Sequence, residues 1–458
     1  MSRTAGTASR LAWLDALRGF AALCVVFDHG STLLLRPVRD FLYQWLNLGQ
    51  YGVFVFFLVS GYIVPASLER KGSLRAFWTS RAFRLCPMYA VALALAAVSY
   101  RTGLGTLRGA EHHPLTAVAS WLLMLPNLLT GPNVPNVTWT LSYEMVFYLL
   151  VAALFSWGVH RHSGGYALTS AASAVMLGGV LPMAALTRWA GRAAHGPLVL
   201  DAVVDALILG GIALAVRGGL AGGRGRAGVR AGAAVAALTG LVLITVNQGY
   251  PYPWSGCAIL ALMFTGTLAY RAEHRQAGRA AAAAIAVAVL ALTTAAGIWH
   301  GARYGAQWQA QWASSVLLAA ATFGIAMAAR NWRVPRVAAW LGVISYSVYL
   351  LHPLIFDAYR SVPALHRAHT TPVQAALFAA LAAAVVAASA ATYYLVERPM
   401  QRLGRRVAAY GTGAGSGAPA GTAAEPAADT AAGPAAGAAA DRSASSSSAV
   451  AGGSGGSP

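Results

Sequence analysis

Charge is scarce in this chain, and most of it has one sign. Only 10% of the 458 residues are Asp, Glu, Lys or Arg, against 57% hydrophobic residues. That balance excludes an ordinary soluble domain, in which about a quarter of the residues are charged. Acids are outnumbered, 14 to 33, for a net charge of +19. In a soluble chain such an excess would point to nucleic acid. Here the bases gather in short loops between apolar runs, which is the positive-inside pattern of a membrane protein, and no nucleic-acid partner is expected. Lysine is almost absent: the excess is arginine apart from Lys71. Cysteine is sparse too, with Cys24, Cys86 and Cys257 standing singly. No Cys/His cluster has zinc spacing, so no metal site is expected, and His112–His113 and His160/His162 are read as loop histidines. The first apolar run holds Asp15, Arg18 and His29 with no small-residue cleavage site after it, so a cleavable signal peptide is not expected.

What the chain has in quantity is long apolar segments. Twelve are near the length needed to cross a bilayer: about 11–34, 51–68, 83–100, 139–157, 166–187, 198–217, 231–247, 254–270, 280–299, 312–329, 337–356 and 373–396. The loops between them alternate in charge. Arg70, Lys71, Arg75, Arg81 and Arg84 follow the second run, Arg217, Arg224, Arg226 and Arg230 the sixth, and Arg398, Arg402, Arg405 and Arg406 the last. The intervening stretch Asn247–Pro253 carries no charge. This parity puts both termini in the cytoplasm. A weaker run, Leu115–Leu129, is short and contains Pro126, so it is expected to be re-entrant or interfacial. Residues 411–458 are Gly, Ala, Ser, Pro and Thr with few charges and no aromatic, the composition of a disordered tail. The expected architecture is therefore all-α: a polytopic membrane bundle of about 10–12 spans over residues 11–403, then a basic juxtamembrane stretch and tail over 404–458.

The apolar runs carry a few polar residues in informative places. Arg18 and His29 are eleven residues apart, so on a helix they return to nearly the same face, roughly 16 Å apart along the axis. An arginine at the bilayer centre costs about 2.5–3.5 kcal/mol on insertion scales, which calls for a partner or a task. Asp15, one turn before Arg18, offers an interfacial ion pair, with His29 as a headgroup contact. The alternative is a polar track leading to a catalytic histidine. Ser60-Gly61 in the second run suits close helix packing or substrate contact. Arg81 and Arg84, three apart, suit either lipid headgroups or a phosphate gripped by paired guanidinium groups. Glu144 is a lone acid in an apolar helix, the kind of residue that marks a functional site or a structural salt bridge. Ser345, Tyr349 and His352 share one helix face. Glu397-Arg398-Pro399 ends the last run as a structural clamp. The Gly223-Arg-Gly225-Arg-Ala-Gly228 pattern lacks the preceding strand that a dinucleotide site requires.

Taken in order, these clusters resemble the acyltransferase-3 family of integral membrane acyltransferases. The Arg-x10-His signature matches Arg18 and His29. Phe-Phe-x-x-Ser-Gly-Tyr matches Phe56–Tyr62, Arg-x-x-Arg-x-x-Pro-x-Tyr matches Arg81–Tyr89, Trp-x-Leu-x-x-Glu matches Trp139–Glu144, and Ser-Tyr-x-x-Tyr-Leu-x-His matches Ser345–His352. The resemblance covers residues 11–403. It implies about ten core spans and O-acyl transfer from an acyl-CoA, most simply acetyl-CoA, to a hydroxyl, usually on a sugar. Acyl-CoA is then a co-substrate and no cofactor is permanently bound. The acceptor would be a carbohydrate, a glycolipid or a glycosylated metabolite, and the setting a bacterial plasma membrane. Some relatives carry a further SGNH-type esterase-like domain, which the tail composition does not provide.

Under that resemblance His29 is the expected general base. Glu144 would orient His29 or bind the acceptor. Arg18 would hold the donor or stabilise oxyanion charge. Arg81, Arg84, Ser60, Tyr349 and His352 are the expected substrate-binding residues. A proton-coupled secondary transporter is the alternative from another class, since intramembrane ionisable residues also serve transport. Against it, the two halves show no internal repeat. The charge parity makes one direct prediction. Cysteines introduced at Arg75 and at Gly249 will react with an impermeant thiol reagent from opposite faces, Arg75 from the cytoplasmic one, and labelling of both from one face would refute this topology.

Overall fold

The computed structural model describes residues 5–221, 225–249, 252, 254–362 and 370–410. The expected disordered tail, 411–458, lies outside the described residues. The described residues form helices and no strand. In chain order they are α1 (Ala5–Leu34), α2 (Arg36–Tyr43), α3 (Leu48–Lys71), α4 (Leu74–Arg101), α5 (Pro114–Leu122), α6 (Trp139–Ser156), α7 (Ser163–Leu177), α8 (Ala185–Ala190) and α9 (Gly196–Leu220). They continue with α10 (Arg226–Val246), α11 (Ser255–Glu273), α12 (Arg279–Gly301), α13 (Ala306–Ala328), α14 (Arg336–Val343), α15 (Ser345–Arg360), α16 (Thr371–Thr392) and α17 (Arg398–Tyr410). A π-helical turn, Tyr393–Glu397, joins the last two.

Among the described residues, nine helices are long and apolar enough to cross a membrane, or ten if the bent pair α14–α15 counts as one span. This corrects the twelve apolar stretches. The 166–187 stretch becomes α7, 15 residues long, because the helix stops at Leu177 before Gly178. About four turns, roughly 22 Å of helix, are too few to span a hydrocarbon core about 30 Å thick. The 254–270 stretch becomes α11, which is not among the nine. Every residue from 254 to 268 is buried, and its Ser, Gly and Thr residues dilute its hydropathy. Hydropathy alone does not separate a helix surrounded by protein from one facing lipid. The weak run at 115–129 forms only the nine-residue α5 followed by irregular chain, too short to span.

α3 and α11 form the centre, and glycine sets how close they come. A Cβ on Gly61 would sit 1.8 Å from the Met263 carbonyl oxygen, and one on Gly266 2.1 Å from that of Leu58. Small residues at such a crossing let two backbones touch. Pro65 lies inside α3 and has no N–H to give the carbonyl four residues earlier, that of Gly61. The Thr267 hydroxyl on α11 donates to this carbonyl at 2.8 Å. The proline that would weaken α3 thus creates the acceptor that ties it to its neighbour.

Two more contacts place the polar residues of the late helices. α1 lies against α14, where a Cβ on Gly342 would meet the Asp15 carbonyl oxygen at 1.7 Å. Immediately after this contact the chain turns by 67° between α14 and α15, and the Ser345 hydroxyl donates to the Gly342 carbonyl at 2.8 Å. The turn aims α15 back along α1. Two residues on, and on another face of α15, Ser347 donates to the buried Glu397 carboxylate. This joins α15 to the π-helical turn, so Glu397 clamps two elements.

Replacing Gly61 with Val will force α3 and α11 apart, at a cost of about 1–3 kcal/mol or more for overpacking. The measurement is the yield and melting temperature of detergent-purified protein. Gly165, where a Cβ would meet nothing within 4 Å, will tolerate Ala; equal behaviour of the two variants would remove the close contact.

Candidate active site

The polar residues converge on two neighbouring cavities. The smaller, about 60 Å³, is lined by Arg18, Ser60, Glu144, Ser345, Tyr346 and Tyr349 together with Val53, Phe56, Phe57, Thr140 and Leu141. The larger, about 600 Å³, contains His29 in its wall. Val53 and Tyr349 line both, so the two spaces share one partition. Tyr349 is fixed there by two bonds: its hydroxyl lies 2.9 Å from the Thr140 hydroxyl and donates to the Val137 carbonyl at 3.1 Å. Arg18 and His29 therefore occupy one face of α1, as their spacing requires, but at different levels and in different cavities.

The smaller cavity is an electrostatic centre. Glu144 accepts a hydrogen bond from Ser60 at 3.3 Å and another from Tyr148 one turn later. Arg81 is buried at 7% exposure, with its guanidinium carbon 4.9 Å from the Tyr148 ring centroid and 5.4 Å from that of Phe77. Its Nε has no partner among the described residues. Arg81 thus backs Glu144 through Tyr148 and does not face an open surface. Arg84 lies within electrostatic reach of Asp15, Arg18 and Glu397. Among the described residues no ion pair of 4 Å or less joins Asp15 to Arg18. Arg18 is instead in the field of Asp15, Glu144 and Arg84 together. Guanidinium groups in an apolar surround with few carboxylates suit an anionic or oxyanionic guest.

The larger cavity is different in character. Asp28, Tyr43, Asn47, Asn133 and Gln311 supply polar atoms to its wall, and Trp139, Tyr252 and Trp308 supply aromatic faces. Asn47 reaches it because it caps α3, its side chain accepting from the Gln50 N–H at 2.8 Å. The aromatic wall is closely packed: Tyr252 meets Trp308 edge to face with ring centroids 5.0 Å apart, and Trp308 and Trp312 lie near parallel with centroids 5.8 Å apart. A cavity with aromatic faces and several amides fits a ligand with both apolar faces and many hydroxyls.

His29 does not meet Glu144. Its Nδ1 is 2.8 Å from Nε2 of His352, the two rings meeting edge to edge with centroids 5.1 Å apart and planes 28° apart. His352, expected among the substrate-binding residues, is fully buried behind His29 and lines neither cavity, and Glu144, expected to orient His29 or to bind the acceptor, lines the smaller cavity away from His29. Tyr349 and Ser60 remain at cavity walls. Sequence reasoning passed over Asp28, Asn47, Asn133, Gln311 and Trp308. Asp28 was visible as an acid beside His29; the others gave no signal, because loop amides and aromatics are common. It also passed over Asp201, buried on α9, which accepts from the Thr130 N–H at 3.3 Å and hydroxyl at 2.7 Å. Among the described residues no three His, Cys, Asp or Glu groups converge as metal ligands.

Comparison with known proteins puts this geometry in context. A family pattern described as an acyltransferase domain matches residues 11–394. Acyltransferase MdmB of Streptomyces mycarofaciens is 34% identical over 149 residues, 31% of this chain and 38% of that protein. Nodulation protein 10 of Rhizobium leguminosarum bv. viciae is 28% identical over 188 residues, 34% of this chain and 48% of that protein. Putative peptidoglycan O-acetyltransferase YrhL of Bacillus subtilis is 28% identical over 152 residues, 30% of this chain and 22% of that protein. The chain thus spans less than half the length of each of these relatives. No solved structure matches it significantly.

Replacing Tyr349 with Phe removes both bonds that hold the partition while keeping its bulk. Turnover by purified protein will fall about tenfold, the scale of a lost hydrogen bond of roughly 1.5 kcal/mol, with little change in melting temperature. Unchanged turnover would detach the partition from the reaction.

Proposed function

Because the chain belongs to the acyltransferase-3 family, we propose that it is an integral membrane O-acyltransferase. It moves an acyl group, most simply acetyl, from acyl-CoA to a hydroxyl of a carbohydrate, glycolipid or glycosylated metabolite. The observation that carries this reading is the pair of cavities sharing Val53 and Tyr349, one with a histidine in a polar and aromatic wall and the other with Arg18 and Glu144.

The acceptor sits in the larger cavity, its ring face on the tryptophans and its hydroxyls on the amides. His29 takes the proton from the attacking hydroxyl as that oxygen bonds to the thioester carbonyl carbon. The carbonyl oxygen gains negative charge, which the Arg18 guanidinium reaches across from the adjoining cavity to offset. When the tetrahedral intermediate collapses, the carbon–sulfur bond breaks. The thiolate of CoA recovers the proton held by His29, leaving an ester and free CoA. Glu144, held by Ser60 and Tyr148, offsets the positive charge of Arg18, Arg81 and the nearby Arg84 while the anionic donor is absent. The donor approaches from the arginine-rich end, cytoplasmic by charge parity, and the acceptor from the opposite side of the partition. YrhL's description as a putative peptidoglycan O-acetyltransferase supports an ester on a polysaccharide hydroxyl. The setting is the bacterial plasma membrane with both termini in the cytoplasm. The names of the relatives lend the transporter alternative no support.

His29→Ala will abolish CoA release from acetyl-CoA in the presence of acceptor, a loss of about 10²–10⁴-fold for a general base, while the protein still inserts and purifies. Near-normal turnover would remove His29 from the mechanism. Arg84→Ala will raise the donor KM several-fold and leave the acceptor KM within twofold, since Arg84 is on the donor side of the partition; the reverse pattern would exchange the two sites.

A further inference from the structure

We infer that His352 is a positioning residue that holds His29 in the single tautomer able to act as a base towards the larger cavity. The assignment follows from the order of hydrogen bonds. Nδ1 of His352 lies 3.0 Å from the Val348 carbonyl oxygen, with the Tyr349 carbonyl also beside it. Carbonyl oxygens only accept, so Nδ1 of His352 carries a proton. In a neutral ring Nε2 is then bare and can only accept. The atom facing it at 2.8 Å is Nδ1 of His29, which must be the donor. A neutral His29 with its proton on Nδ1 has its lone pair on Nε2, the nitrogen left for a substrate hydroxyl. The helix places the anchor by the same proline device as in α3. Pro353 sits inside α15, so the carbonyl four residues earlier, that of Tyr349, lacks its helical N–H partner and is open to the neighbouring imidazole.

The ring of His352 has little freedom to turn. Tyr349 and Phe356 flank it with centroids 6.0 Å and 5.9 Å away, and it is fully buried. Among the described residues no carboxylate is within hydrogen-bond reach of either ring. The relay Val348 carbonyl, His352, His29 therefore does by neutral hydrogen bonds what a carboxylate does for many catalytic histidines. A neutral partner orients His29 without adding a fixed negative charge. The proton that His29 takes up is thus less strongly retained and more easily returned to the departing thiolate.

The inference rests on His29 being the base, but its first test does not. Protein labelled with ¹⁵N-histidine, in lipid nanodiscs at a pH where both rings are neutral, will show His29 and His352 each protonated on Nδ1. The signals are assigned by loss in His29→Gln and His352→Gln. A His29 proton on Nε2 in the unmodified protein would overturn the inference whatever the enzyme's activity. The second test is kinetic. His352→Leu will lower kcat about 100-fold with donor and acceptor KM within twofold. His352→Gln, whose amide oxygen can accept from Nδ1 of His29, will recover at least tenfold of that loss. Equal kcat values for the Leu and Gln variants would overturn it, because a ring that only filled space would not distinguish them. Loss of activity in His29→Ala alongside an Nε2-protonated His29 would keep the base and reject its partner.

Discussion

Most of the polar groups that shape the centre of this bundle find a partner in the protein, because an apolar surround offers no water. An unpaired buried hydroxyl or amide costs about 1–3 kcal/mol by mutational measures, and an unpaired charge costs more. That constraint explains the arrangement better than the apolar packing does. The Gly61 carbonyl freed by Pro65 takes the Thr267 hydroxyl. Glu144 takes Ser60 and Tyr148. Glu397 takes Ser347, and His29 takes His352. Each pair joins separate helices, or a helix to itself one turn on. The polar residues thus fix the register of the helices that apolar side chains alone would leave free to slide.

The same constraint sorts the interior into two environments. Where guanidinium groups gather around Glu144 and Tyr148, the surround favours negative charge. Where Asp28, amides and aromatic faces gather around His29, it favours a neutral guest rich in hydroxyls. The proposed acyl transfer from a thioester calls for both, since on that proposal one substrate is an anion and the other is not. A partition built on Val53 and on a doubly bonded Tyr349 separates the two environments. Arg18 and His29, on one face of a single helix, present one group to each space.

Much of this was legible before any coordinates. Apolar run length marked the helices, because a span needs about 20 residues whatever it packs against. The five clusters marked residues that now line the two cavities, Arg18, His29, Ser60, Glu144 and Tyr349 among them, because an ionisable residue in an apolar helix is costly enough to stand out. The count of spans was less legible. α7 ends early at a glycine, and α11 is enclosed by other helices on all sides. Hydropathy measures a residue and not its neighbours, so the enclosure of α11 is not written in it.

The sequence by itself determined an all-helical membrane chain, the shared face of Arg18 and His29, and membership in a family of acyltransferases, since each depends only on local spacing or motif order. Tertiary structure alone decided who partners whom. It moved Glu144 away from His29 and onto Ser60 and Tyr148, put Arg81 behind Tyr148, and brought His352 across 323 positions of chain to within 2.8 Å of His29. The physical reason is that helix periodicity fixes direction along one element, whereas a hydrogen bond between elements depends on how the helices cross. That crossing is set by contacts such as Gly61 against Met263 and Gly342 against Asp15.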